Sequence, residues 1–205
     1  MTVDEIITAA RYRLNDNSAV EYSNNELMEY VNTAQQFINK FLMERDSGLI
    51  KDVVTLDTSS GSHALPSDFM AICYVKDSNG YLVRHRDPAS ADGTTEYFPG
   101  LYQWSSSGYY YIHGTDIYSN LDSIELCYYK MLDDNTATTD TIPLPDFFRN
   151  LLLEMVLIIA FNRNEFAVNI EELLMQQFSK AIISLIANYD FAYKENIGRV
   201  MPWKV

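Results

Sequence analysis

Apolar side chains recur three or four positions apart near both ends of the chain. The spacing holds over residues 3–14, over 27–42 and again over 170–193. Positions at this spacing lie on one face of a helix, so each stretch predicts an amphipathic helix. A hydroxyl or amide residue precedes each stretch, followed three positions later by a glutamate, as in a capping box. These cap residues are Thr2, Ser23 and Asn169.

A fourth helix is predicted over residues 147–161, where the pattern is different. Twelve of the fifteen positions are apolar, the exceptions being Arg149, Asn150 and Glu154. On a helical wheel Asn150 and Glu154 share one narrow stripe, whereas Arg149 lies well away from it. A helix that is apolar nearly all round must be covered on nearly all sides. The cover comes either from the other helices of this chain or partly from a neighbouring subunit.

The middle of the chain, about residues 51–131, is rich in tyrosine and β-branched residues, as sheets are. Asn79-Gly80 lies between two apolar runs and is typical of a tight hairpin turn. Tyrosine also suits sheets because one end of its side chain is apolar and the other is polar. The predicted strands are 51–57, 70–76, 81–86, 109–112 and 124–130.

These elements predict an α+β fold, a four-helix bundle built from both chain ends with an inserted antiparallel β module. The helical part is expected to be discontinuous, from residues 1–48 and 143–196. The β-rich insertion is expected over 51–131 and a C-terminal arm over 197–205. The polar segment 133–141 is typical of a loop.

The charge balance excludes some classes of protein. Asp and Glu number 28 and Lys and Arg number 15, so the formal net charge is −13. A general nucleic-acid binder needs a basic face, which this balance argues against. Asp4 and Glu5 lie where a secretory signal would carry positive charge, and 147–161 is shorter than a membrane span. We therefore expect no membrane association.

The sequence predicts no catalytic residue, no cofactor and no metal. Glycine-rich phosphate loops and paired metal ligands are missing from it. The acidic group around Asp133 to Asp140 lacks the ligand pattern of a calcium loop and is typical of a solvated loop. Arg84-His85-Arg86 is interpreted as a solvated strand edge, or else as a contact for phosphate or an acidic partner. Cys73 and Cys127 are interpreted as two reduced thiols.

Several short motifs follow one another in a distinctive order. They are Arg-Leu-Asn-Asp at 13–16, Tyr-Ser-Asn-Asn-Glu-Leu at 22–27, Tyr-x-Asn-x-Ala-Gln at 30–35, Leu-Pro-Ser-Asp-Phe at 65–69 and Pro-Leu-Pro at 143–145. In this order they resemble the head–tail adaptor (connector) proteins of tailed bacteriophages. The resemblance covers most of the chain and is weakest over 87–108.

The resemblance implies a structural virion protein with no enzymatic activity, made in the host cytoplasm and placed in the neck of the particle. Its implied partners are the portal protein, the next tail or nozzle protein, and further copies of itself in a ring of about twelve. DNA would pass through the ring without specific binding. An acidic wall would repel phosphate and keep the duplex mobile.

The segment from Asn196 to Val205 is a candidate partner-binding arm. Gly198 and Pro202 each end a helix, and the residues beyond 198 carry two basic side chains and no acidic one. Tryptophan and arginine are enriched among interface hot spots. The alternatives are a frayed terminus or an arm folded back on its own helices. The candidate partner-binding residues are Arg199, Val200, Met201, Trp203, Lys204 and Val205.

Two other functions remain open at this point. The tyrosines between residues 97 and 129 are compatible with a carbohydrate-binding or cell-wall-degrading tail component. A monomeric helical regulator is also compatible with the helices alone.

Overall fold

A computed structural model describes residues 1–86, 104–163 and 169–196. Within these residues the chain forms four helices and seven strands. The helices are α1 (Val3–Leu14), α2 (Asn24–Glu44), α3 (Arg149–Phe161) and α4 (Ile170–Asn196). The strands are β1 (Lys51–Asp57), β2 (Ser62–Ala64), β3 (Phe69–Asp77), β4 (Leu82–His85), β5 (Trp104–His113), β6 (Asp116–Ser119) and β7 (Ser123–Lys130). The chain divides into a helical unit, Met1–Leu49 with Leu132–Val205, and a sheet unit, Ile50–Met131.

Helix α3 lies at the centre of the helical unit, where it contacts α1, α2 and α4. Asn150 and Glu154 are exposed and form its narrow polar stripe. A short 3-10 turn precedes it and places Phe148 in the core with no exposed surface. The other helices of the same unit therefore cover the apolar helix. Its buried residues are Leu151, Leu152, Leu153, Met155, Val156, Leu157, Ile159 and Ala160.

The prediction of a four-helix bundle with an inserted antiparallel β module is wrong. In a bundle, four helices of similar length each turn one apolar stripe toward a shared central core. Here α3 is itself the core, because its apolar surface extends nearly all round. The helices also differ greatly in length, from 12 residues in α1 to 27 in α4. The β unit is one seven-stranded sheet that contains a parallel pair of strands, so it is not a purely antiparallel module.

The seven strands form one sheet in the order β1-β7-β3-β4-β5-β6-β2. Its two outermost strands, β1 and β2, lie close to each other, so the sheet is nearly closed. Neighbouring strands are antiparallel except β4 and β5, which are parallel. A parallel pair needs a long connection, which the segment between His85 and Trp104 provides. The buried core of the sheet unit consists of Leu56, Val75, Val83, Tyr110, Ile117, Ile124, Leu126 and Tyr128.

Local sequence signals within the sheet unit are confirmed in part. Strand β1 has the predicted bounds, and the hairpin between β3 and β4 turns at Gly80, whose φ is 83°. The short strands β2 and β6 were not predicted. Strand β4 lies between β3 and β5, so the interpretation of Arg84-His85-Arg86 as part of a sheet edge is wrong.

The predicted helix caps are present. The Thr2 hydroxyl accepts a hydrogen bond from Glu5 N, and the Glu5 carboxylate accepts one from Thr2 N, which completes a capping box. Ser23 caps α2 through Glu26 N at 3.1 Å. Asn169 accepts from Glu172 N at the start of α4. Each cap satisfies a backbone donor that has no partner within the helix.

Candidate interaction surface

The connection between α1 and α2, residues 15–23, is held in an unusual backbone conformation. We call it the α1–α2 loop. Asn15 ends α1 in the left-handed region with φ 58°, and its N–H is donated back to the helix at Arg11 and Tyr12. Ala19 has φ 54°. A non-glycine residue persists there only when its surroundings enforce it, and such positions cluster at functional sites.

The Asp16 carboxylate fixes the course of this loop. One oxygen accepts hydrogen bonds from Val20 N at 2.9 Å and Glu21 N at 3.2 Å. The other accepts from Tyr22 N at 3.1 Å and from the Arg11 guanidinium at 2.8 Å. Four donors thus converge on one buried side chain, and the backbone from residue 20 to 22 wraps around it.

Arg11 completes the network from the helix side. Its guanidinium also donates to Tyr22 O at 2.8 Å and to Asn24 Oδ1 at 2.7 Å. Burial alone would raise the pKa of Asp16. The N–H groups of Glu21, Val20 and Tyr22 and the charge of Arg11 outweigh it, so the pKa is lowered.

A second set of contacts ties the α1–α2 loop to the end of α3. The Tyr22 hydroxyl donates to Ala160 O at 3.3 Å. The Arg163 guanidinium lies 4.4 Å from the centre of the Tyr22 ring and donates to Glu21 O at 2.7 Å. Arg163 also approaches the Glu26 carboxylate at 3.5 Å. The loop is therefore held from α1, from α2 and from α3.

The tip of this braced loop presents an apolar side chain to solvent. Val20 is 82% exposed, and its neighbours Ala19 and Glu21 are also exposed. A single exposed valine is ordinary on a protein surface. Here it is carried by strained backbone and a buried ion pair, so its position is fixed before any partner arrives. Such preorganisation lowers the entropy lost on binding.

The Arg13–Asp16 motif is visible in the sequence, whereas the roles of Arg11 and Asp16 in the loop are not. One signal was available. Arg11 lies four positions after Ile7, and therefore on the buried face of α1, where a charged residue requires a partner. The partner itself, five residues further on in an irregular segment, could not be identified from spacing.

A shallow cleft of about 570 Å³ runs between α1 and α3. Asp4 and Glu5 supply negative charge, and Arg13 and Arg149 supply positive charge. Tyr12 lies along it with 77% of its surface exposed. This open, mixed-charge surface is suited to contact with another protein and has none of the enclosure of a small-molecule pocket.

Several tyrosines of the sheet unit have a ring face in contact with another aromatic ring or a cation. The rings of Tyr111 and Tyr118 stack 4.9 Å apart with an angle of 1° between them. The Arg86 guanidinium lies 5.1 Å from the Tyr109 ring. Tyr97, Phe98 and Tyr102 of the predicted aromatic group lie outside the described residues.

The predicted partner-binding arm also lies outside the described residues. This applies to the whole of 197–205 and so to all six of its candidate residues. Within the described part of the chain, no cluster of three or more His, Cys, Asp or Glu side chains could hold a metal ion. Nor is any helix in those ranges long and apolar enough to cross a membrane.

Comparison with known proteins gives one finding. No curated protein matches the chain. The family of the SU10 adaptor protein matches it over residues 1–199, which spans both the helical and the sheet units. This confirms the resemblance to phage head–tail adaptors that the order of short motifs predicted. The chain belongs to the SU10 adaptor protein family and is a structural component of a phage virion.

Proposed function

We propose that this protein is the adaptor at the neck of the phage particle, between the portal and the tail. In this proposal about twelve copies form a ring under the portal protein, and the next tail or nozzle protein attaches to the ring. The head–tail junction is where a structural adaptor is needed, because it joins two assemblies that form separately.

The observation that carries the proposal is the braced α1–α2 loop. The Arg11–Asp16 ion pair stabilises a loop conformation that includes the strained Ala19 and that presents Val20 to solvent. In a ring each copy presents the same pair of complementary surfaces to its two neighbours, and a preformed loop is suited to such a repeated contact. The loop also includes part of the motif series that marks the family.

The charge of the chain supports passage of DNA through the ring without specific binding. A net charge of −13 leaves few sites for phosphate, and an acidic wall would keep a duplex from adhering. The support is general, since it rests on the whole chain and not on particular lumen residues.

We include the C-terminal arm in the proposal as a second contact. Arg199 and Trp203 would anchor it on the portal or on a neighbouring subunit. Trp203→Ala should then weaken binding to portal-containing heads while leaving the thermal unfolding temperature unchanged. Equal binding by the variant and the wild type would exclude the arm as a contact.

The carbohydrate-binding alternative has less support. A sugar platform needs free aromatic faces, and one face of Tyr111 is covered by Tyr118.

The experiment is a phage carrying a stop codon early in this gene, grown with and without the protein supplied from a plasmid. Without it we expect filled heads that lose DNA or lack tails, and purified protein added to those heads should restore infectivity. Normal infectious particles made without the protein would contradict the proposal.

A further inference from the structure

The two cysteines of the chain lie opposite each other in the sheet. Cys73 is on β3 and Cys127 is on the adjacent strand β7. Along this pair of strands Ile72 faces Tyr128 and Tyr74 faces Cys127, so β3 has one residue more than β7 at this step. Cys73 is that extra residue, at a β-bulge. In a bulge two residues of one strand oppose a single residue of its partner, so Cys73 and Tyr74 both face Cys127.

This geometry makes the two side chains neighbours. Burial raises the pKa of the Cys73 thiol most, and the Cys127 thiol is one of the other groups that raise it. Tyr74 is the residue directly opposite Cys127, and directly opposed residues of antiparallel strands have Cα atoms roughly 4.5–5.5 Å apart. Cys73 adjoins Tyr74 at the same bulge, and a disulfide spans Cα separations of about 4.4–6.8 Å, so the bulge is a place where a bond to Cys127 can form.

The surroundings make the two thiols unequal. Cys127 is buried at 3% exposure, whereas Cys73 is partly exposed. Burial raises the pKa of the Cys73 thiol to about 11. A thiol of this kind is a weak nucleophile at neutral pH and survives in a reducing cytoplasm. Because Cys73 is reachable from solvent, it is the site at which an oxidant would enter.

We propose that Cys73 and Cys127 form a redox pair, with free thiols while the protein is made and a disulfide once the particle is released. The second part rests on the proposed function, which places the protein in a virion that leaves the cytoplasm for an oxidising medium. The bond would join β3 to β7 at the bulge, where their hydrogen-bond ladder is interrupted.

The chemistry balances with a small disulfide as oxidant. The Cys73 thiolate attacks one sulfur of glutathione disulfide, forming a mixed disulfide and releasing one glutathione. Cys127 then loses its proton and attacks the Cys73 sulfur, releasing the second glutathione. Two cysteine thiols are oxidised by two electrons, and the two protons end on the two glutathione thiols. In the medium, dioxygen accepts the same two electrons and two protons as hydrogen peroxide.

The first test treats the purified full-length protein with glutathione disulfide at pH 8.5. We expect the intact mass to fall by about 2 Da and both thiols to disappear in denaturant. The thermal unfolding temperature should rise by on the order of 5–10 °C, because the bond closes a long loop in the unfolded chain. Two thiols still present, a stable glutathione adduct or a disulfide-linked dimer would each overturn the proposal.

Matched variants identify the entry point. Cys127→Ala should retain one glutathione on Cys73, a gain of about 305 Da, because no second thiol resolves the mixed disulfide. Cys73→Ala should remain unmodified, because Cys127 is buried. Modification of Cys73→Ala but not of Cys127→Ala would contradict the assigned order of attack.

The last test blocks thiols with a maleimide in infected cells before lysis and, separately, in purified released particles. Peptides carrying Cys73 and Cys127 should be labelled in the cells and linked to each other in the particles. Labelled cysteines in the particles would overturn the second part of the proposal. If the protein is missing from the particles, the proposed function fails, while the purified protein still reports on the redox pair.

Discussion

The contacts that stabilise the helical unit internally differ in kind from those that stabilise the sheet unit internally. In the helical unit, irregular segments are attached to helices through the side chains of Asn, Gln, Arg and Asp. In the sheet unit, the strands join through their own backbone groups over an apolar core. The difference predicts which substitutions each unit tolerates.

The linker after β7 shows the first mode. Asn32 of α2 donates to Asn135 O at 3.0 Å and accepts from Asn135 N at 2.9 Å. Gln35 donates to Asp133 O at 2.8 Å. These amides replace the ladder that a strand would have provided, and Asn32, Gln35 and Asn135 are all buried. A buried amide that loses its partner keeps the full cost of desolvation.

The sheet unit has fewer such side-chain contacts among its described residues. Thr58 is a buried example, and its hydroxyl donates to Leu121 O. Thr58 N also bonds Asp122 O at 2.9 Å, so the backbone holds this corner independently of the hydroxyl. Replacing a buried polar side chain by alanine should therefore lower the free energy of unfolding more in the helical unit than in the sheet unit.

The largest effect is expected at the apolar centre of the helical unit. Phe148→Ala removes a ring with no exposed surface and should lower the free energy of unfolding by about 3–5 kcal/mol in urea. Phe161→Ala at the other end of α3 is the matched control. Its ring is 67% exposed, so the change should stay within about 0.5 kcal/mol. Similar losses for both variants would show that α3 is not the core.

The next effect tests the contrast between the units directly. Asn32→Ala leaves Asn135 N–H and C=O without their side-chain partner and should cost about 2–3 kcal/mol. Thr58→Ala in the sheet unit should cost about 1 kcal/mol, since one neutral hydrogen bond is lost. Denaturant unfolding of both variants gives the comparison. An equal or larger cost at Thr58 would remove the distinction between the units.

A pH-dependent effect is expected at Asp16. Its folded pKa is lowered, so its stabilisation is present above the unfolded value of about 3.9 and is lost as pH falls below it. Asp16→Asn should lower the unfolding temperature at pH 7, because Arg11 loses its charge partner. The difference in unfolding temperature between Asp16→Asn and wild type should narrow as the pH falls below about 4. A difference that stays constant from pH 7 to pH 3 would mean that the charge of Asp16 contributes nothing.

The sequence predicted what depends on neighbouring residues. Thr2 with Glu5, the bounds of β1 and the turn at Gly80 are set within a few positions of the chain, and all three are observed. The apolar excess of 147–161 also indicated that α3 must be covered.

The rest depends on contacts between distant residues. The parallel pairing of β4 with β5 has no local signal, and it was enough to make the predicted antiparallel module wrong. Asn135 was expected in a solvated loop, yet it is buried against Asn32. The sequence does not show this contact because the two residues lie about a hundred positions apart. Periodicity reports which face of an element is apolar and not which element will cover it.

The smallest expected effect on stability carries the most weight for function. Val20→Asp places a charge at an 82% exposed position, so the free energy of unfolding should change by less than about 0.5 kcal/mol. Val20→Thr, which keeps the shape of the side chain, is the matched control. Both proteins should have the wild-type unfolding temperature.

The decisive measurement is complementation of the phage that lacks this gene, using wild-type, Val20→Thr and Val20→Asp proteins at equal expression. If the α1–α2 loop is an assembly contact, Val20→Asp should yield at least tenfold fewer infectious particles than wild type. The number of infectious particles made with Val20→Thr should lie between the numbers made with wild type and with Val20→Asp. Full complementation by a folded Val20→Asp protein would contradict the account, because the braced loop would then make no contact that assembly requires.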